Sequence, residues 1–254
     1  MKKIVIFLCI GIYATMNAVA APYVFDQKVI QDIYRFKQEL YLLPESTDYK
    51  KFIDNFLSKE ECKELPPQEL YTVRNIAAVE RLNFLDSTEN QKGNYYILDS
   101  RYHESSEFMK SEKNLSEWFL VSFADVESRL INYAAGGEMY RISMEAKSFY
   151  EKALRQNKKF SYGYIGYASW LFFAPAVAGG GYDAALKQFG KAIKNADTDF
   201  DIYIALIYRS QVYYKMGKSV ECKKDLKTAH DIYGTEKLTD TVRVKNEKGK
   251  SLFE

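Results

Sequence analysis

Between Asp26 and Leu43 the apolar residues Val29, Ile30, Ile33, Tyr34, Phe36 and Leu40 return mostly every three or four positions. That is the period of a helix with one buried stripe. Pro44 follows, at the kind of position where a helix stops, because the residue before a proline is pushed out of the helical region. The stretch STDYKKFIDNFLSKEEC predicts a second helix with Phe52, Ile53, Phe56 and Leu57 inward. LPPQELYTVRNIAAVERLNFLD predicts a third, opened by Pro66 and Pro67, where a missing N–H costs nothing. Residues 87–113 carry no sustained period and read as a long irregular loop, with a short helical piece possible around Tyr95 to Leu98. Order resumes at NLSEWFLVSFADVESRLINYAAGG, where Asn114 and Glu117 have the spacing of a capping box and Gly136-Gly137 suit a C-terminal cap.

Past that point the pattern repeats. The segments AKSFYEKALRQN, ALKQFGKAIKNA and CKKDLKTAHDIY align with a small residue, a large apolar residue four later and an alanine three after that. The triplets are Ala146/Tyr150/Ala153, Ala185/Phe189/Ala192 and Cys222/Leu226/Ala229, with successive alanines 39 and 37 residues apart. Small residues at fixed spacing let two helix backbones approach, and the large one fills the gap beside them. This pattern resembles the second helix of the tetratricopeptide repeat. The preceding segment YRSQVYYKMGKSVEC is similar to the same family, with Tyr213-Tyr214, Gly217 and Cys222 at its first-helix aromatic, turn glycine and small position. No proline closes any of the repeats, and Cys222 stands in place of an alanine.

The resemblance spans roughly 114–234 and implies an all-α solenoid of helix hairpins, preceded by further helices over 21–113 and followed by a polar tail over 235–254, nine or ten helices in all. It also implies a concave face lined by the first helix of each repeat. On this chain that face would hold Tyr162, Ser169, Phe172, Gln211, Tyr214 and Lys215, side chains suited to an extended peptide or an amphipathic helix. The competing reading is that these aromatics are core, packed against the N-terminal helices.

The glycines in FFAPAVAGGGYDAALKQFGKAI belong to the middle repeat. A phosphate loop needs G-x-x-x-x-G-K-[ST], whereas Tyr182-Asp183 follow here, and an aspartate at a helix start repels an anion. The expectation is a lengthened turn, with Pro175 ending one helix and Gly179 to Gly181 reversing the chain.

Composition adds a compartment. Lys2 and Lys3, the apolar run Ile4 to Met16 and Ala18-Val19-Ala20 have the order of a secretory signal peptide over residues 1–20. The run is short for a stable membrane span, and Cys9 lacks the small neighbour that lipid attachment would want. Export to the periplasm is expected. Loss of the two lysines leaves 34 basic against 34 acidic residues, a balance that offers nucleic acid or anionic lipid no strong field. Cys62 and Cys222 remain, either as two isolated buried thiols or as a bridge an oxidising compartment would permit. His103 in the polar loop and His230 near a helix end join no ligand cluster, so neither metal nor cofactor is expected. No nucleophile-elbow, Cys-His or zinc-protease motif occurs. The expectation is a non-catalytic envelope protein, an adaptor or assembly factor with a protein or peptide partner. The alternative is a small-ligand accessory protein of a solute transport system, similar in architecture to the T-component of TRAP transporters.

Overall fold

The computed structural model describes residues 23–43, 48–84, 91–234 and 237–253. The expected signal peptide and the expected stop at Pro44 lie outside the described residues.

Asp26 caps the first helix, α1 (Gln27–Leu42), its side chain accepting from the Lys28 amide, and the predicted stripe of Val29, Ile33, Phe36 and Leu40 is buried. Then come α2 (Tyr49–Ser58), the single turn α3 (Glu60–Lys63) and α4 (Pro67–Phe84), with Pro67 at the first helical position as expected. The segment expected to be irregular is instead helical over Gln91–Ser111, α5, followed by α6 (Glu117–Leu130). The inward positions of α5 are Asn94, Leu98 and Ser105, two of them polar, so the stripe never shows as an apolar period. His103 therefore sits on a helix, largely exposed beside Asp99 at 3.4 Å, and not in a loop.

Two local expectations also shift. Ser116, not Asn114, caps α6 by accepting from the Phe119 amide at 3.1 Å. The Gly136-Gly137 pair does not end that helix. After a short 3-10 turn at Ile131–Tyr133, Gly136 opens α7 (Gly136–Gln156).

The C-terminal half comprises α7, α8 (Ser161–Phe173), α9 (Tyr182–Lys194), α10 (Asp199–Lys215), α11 (Ser219–Tyr233) and α12 (Lys237–Glu247). The described residues thus form twelve α-helical segments and no strand, more than the nine or ten expected. Helices α6 and α7, α8 and α9, and α10 and α11 pack as pairs, and α7 meets α8 while α9 meets α10. The three aligned triplets all point inward: Ala146, Tyr150 and Ala153, then Ala185, Phe189 and Ala192, then Cys222, Leu226 and Ala229 are buried. The small residue at the first and last position of each triplet allows the close approach that a longer side chain would wedge apart.

The glycine run is a turn. Pro175 begins a 3-10 turn over Ala176–Ala178, the Gly181 amide donates to the Leu171 carbonyl at 2.8 Å, and α9 starts at once. Gly181 has φ 126°, a region reserved for glycine, and a Cβ at Gly180 would lie 2.0 Å from the Ala174 carbonyl oxygen. The turn is tied from outside by Lys147, whose ammonium donates to the Ala178 carbonyl at 2.9 Å.

The polar tail expected over 235–254 folds back over the described part of its length. Helix α12 carries Val242 fully buried, with Leu238 half-buried four positions earlier, and packs on α10 and α11. Two inward apolar positions among eleven residues, with Val244 exposed, are enough for one contact line but not for a visible period. Among the described residues, no helix is long and apolar enough to cross a membrane.

Candidate functional site

Helix α1 lies across α4, α6, α8 and α10. Tyr34 meets Trp118 of α6 edge-on at 5.7 Å and donates to Asp201 of α10 at 3.0 Å. Lys37 pairs with Glu80 of α4 and sits 4.8 Å from the centre of the Tyr162 ring of α8. Tyr41 donates to Glu80 at 2.9 Å and approaches the Tyr208 hydroxyl of α10 at 3.4 Å. These groups form a polar centre inside the molecule, continued by Asn83, which donates to Glu80 at 2.9 Å. Asp125 of α6 accepts from Tyr150 at 2.6 Å and from Tyr162 at 3.1 Å.

The electrostatics follow from burial and pairing. Burial alone would push the Glu80 carboxyl up, but Lys37 beside it outweighs that and holds it below the usual range. Burial would likewise push the Lys37 ammonium down, and Glu80 reverses it. Both members stay charged and fully enclosed. Among the described residues Asp125 has no cation in contact. Burial drives its carboxyl up despite the two tyrosine hydroxyls and the more distant Lys37. Asp201 is raised to about 6, again chiefly by burial and against the Tyr34 hydrogen bond.

The six residues expected to line a concave face are not equally free. Tyr162 is buried, stacked on Trp118 at 5.3 Å and bonded to Asp125. It belongs to the polar centre, as the core reading would have it. The Ser169 hydroxyl is turned back to its own helix, donating to the Ile165 carbonyl at 2.9 Å. Lys215 is exposed at the end of α10.

Phe172, Gln211 and Tyr214 come together, and what they meet is the C-terminal segment. Gln211 is fully buried. Its side-chain carbonyl accepts from the Leu252 amide at 2.7 Å, and its amide donates to Ser210 at 3.0 Å. The Tyr214 hydroxyl donates to the Asn246 carbonyl at 3.3 Å. Phe253 packs on Phe172 at 5.5 Å, Phe173 at 5.3 Å and Tyr208 at 5.5 Å between ring centres. Lys245 donates to the Leu252 carbonyl at 3.0 Å, which keeps the segment against the face. Tyr208 touches both occupants, Tyr41 of α1 on one side and Phe253 on the other. Sequence reasoning overlooked Ser251, Leu252 and Phe253. The one cue was a Leu-Phe pair closing a charged stretch.

Cys62 and Cys222 are both buried and are not bridged to each other: the first donates to the Phe56 carbonyl at 3.4 Å, and the second accepts from Asn246 at 3.7 Å. Among the described residues no group of three or more His, Cys, Asp or Glu is placed to hold a metal ion. No protein-family model matches the chain, and no curated protein matches it closely.

Proposed function

We propose that this chain is a non-catalytic, tetratricopeptide-like adaptor or assembly factor of the cell envelope, exported by its N-terminal segment. It holds a segment of another protein on the face formed by α8 and α10. The observation that carries the reading is the way this face treats the chain's own end. Gln211 and Tyr214 bond main-chain groups of that end, and Phe172, Phe173 and Tyr208 receive an aromatic side chain. Main-chain bonding plus a side-chain pocket is the chemistry of peptide capture. The aligned triplets and the paired packing of α6 to α11 support the repeat assignment.

The polar centre supports the non-catalytic part. Lys37 and Glu80 are fully enclosed, and a substrate would have to displace α1 to reach either.

Native mass spectrometry of the mature protein, gently isolated from its own host's envelope, tests the reading. The expected result is a retained polypeptide that is lost in a Phe172→Ala/Tyr214→Ala double variant whose helical circular dichroism is intact. A chain that flies bare, or carries only a few hundred daltons, overturns it.

A further inference from the structure

Far from the α8–α10 face, a cleft of about 250 Å³ opens between α2, α4 and α5. Ile53 and Leu57 of α2, the alanines of α4 and Ile97 of α5 make its walls apolar. Arg74, Arg81 and Arg101 surround that apolar space. Arg81 bonds Asp54 at 3.0 Å, and Arg101 bonds Glu104 one turn along its own helix. Arg74 makes no ion pair among the described residues. Among the described residues the cleft lining thus carries three guanidiniums against two bonded carboxylates, and one of these, Asp54, is shared with Lys50 at 3.1 Å, so the lining is net positive. Arg74 and Arg101 line the same cleft, and Arg101 is pushed below its ordinary range by burial, with Arg74 adding to that and Glu104 opposing it.

Two like charges held together over apolar walls are stabilised most by an anion between them. Guanidinium forks bind planar oxyanions in paired hydrogen bonds. The net positive lining selects an anion, and the walls select one with an apolar body. A volume just below the usual range for drug-sized ligands limits that body to roughly ten non-hydrogen atoms. We infer that this cleft binds a small amphiphilic carboxylate, its head group bridged by Arg74 and Arg101 and its chain laid along Ile53, Leu57 and Ile97. The site is independent of the peptide-holding face, and either can fail without the other.

The test is titration calorimetry of the full chain with sodium octanoate, with octanol, octylamine and inorganic phosphate as comparators. Saturable one-to-one binding of octanoate is expected, with octanol at least tenfold weaker and octylamine not bound. Arg74→Met keeps the apolar stem and breaks no ion pair, so the fold should stand while octanoate affinity falls at least tenfold. Lys223→Met, on the exposed side of α11, should leave affinity unchanged. Octanol binding as tightly as octanoate overturns the inference, because the head group would then go unread. So do phosphate binding as well as octanoate, an unchanged affinity in Arg74→Met, or no saturation by about 1 mM, the weak end of specific binding.

Discussion

Glu80 and Glu127 stand on helices that pack against one another, α4 and α6, and both are almost wholly buried. Glu80 faces Lys37, Tyr41 and Asn83, and stays ionised. Glu127 lies near the smaller apolar cluster of Val79, Leu98, Val126, Leu130 and Ile142, and among the described residues neither of its oxygens is within hydrogen-bond geometry of a partner. Burial pushes its carboxyl well above the usual range, the Glu145 carboxylate adds to that, and Arg141 opposes it. One acid is kept charged by a built partner. The other has its charged form disfavoured by its surroundings. The difference lies in what α1 delivers, since only the Glu80 side receives a cation from it.

Breaking the first arrangement should have the largest effect. Lys37→Met leaves Glu80 buried without its cation, and unfolding by denaturant should show a loss of about 3 to 5 kcal/mol. Adding Glu80→Leu to that variant should recover much of the loss, because an apolar pair of similar volume removes the stranded charge. A double variant as unstable as the single would mean that the pair positions α1 by more than charge balance.

The repeat triplets and the α1 stripe were legible because their periods are apolar and local. The polar centre was not. Its members Lys37, Glu80, Asp125 and Asp201 come from four helices far apart in the chain, and each reads singly as a solvated face. Helix α5 was missed because its inward side is half polar, and its Ser105 is satisfied by Asn75 of α4 at 3.1 Å instead of by apolar packing. The candidate face was half legible. Phe172, Gln211 and Tyr214 do converge, but no period could show that residues 251–253 return to them from a segment that reads as polar.

A second effect sharpens the contrast through pH. Asp201 is buried with a tyrosine partner and, among the described residues, no contacting cation, and its carboxyl is raised to about 6. The folded chain keeps a proton there that the unfolded chain releases near pH 4. Between about pH 4 and pH 6 this group therefore lowers stability as pH rises, by up to about 3 kcal/mol. Asp201→Asn keeps an acceptor for Tyr34 and should flatten that part of the stability profile, making the variant the more stable chain at pH 7. A profile unchanged from the parent would mean that Asp201 remains ionised across the range.

The smallest expected effect belongs to Glu127→Leu. Among the described residues neither oxygen is within hydrogen-bond geometry of a partner, although Glu145 and Arg141 both bear on the carboxyl. A leucine would extend the adjoining apolar surface of Val126, Leu130 and Ile142. Removal of the unsatisfied polar group should raise stability at pH 7 by about 1 to 3 kcal/mol, read as a higher denaturant midpoint with the slope unchanged. The gain should depend on pH in a direction opposite to any effect at Glu80. The raised Glu127 carboxyl weakens the fold as pH climbs above its unfolded value, so the advantage of leucine should shrink toward pH 4. Stability resting on the depressed Glu80 carboxyl is instead lost as pH falls. A Glu127→Leu chain less stable than its parent at pH 7 would show that the carboxyl is engaged after all, with Glu145 or Arg141 its first candidates.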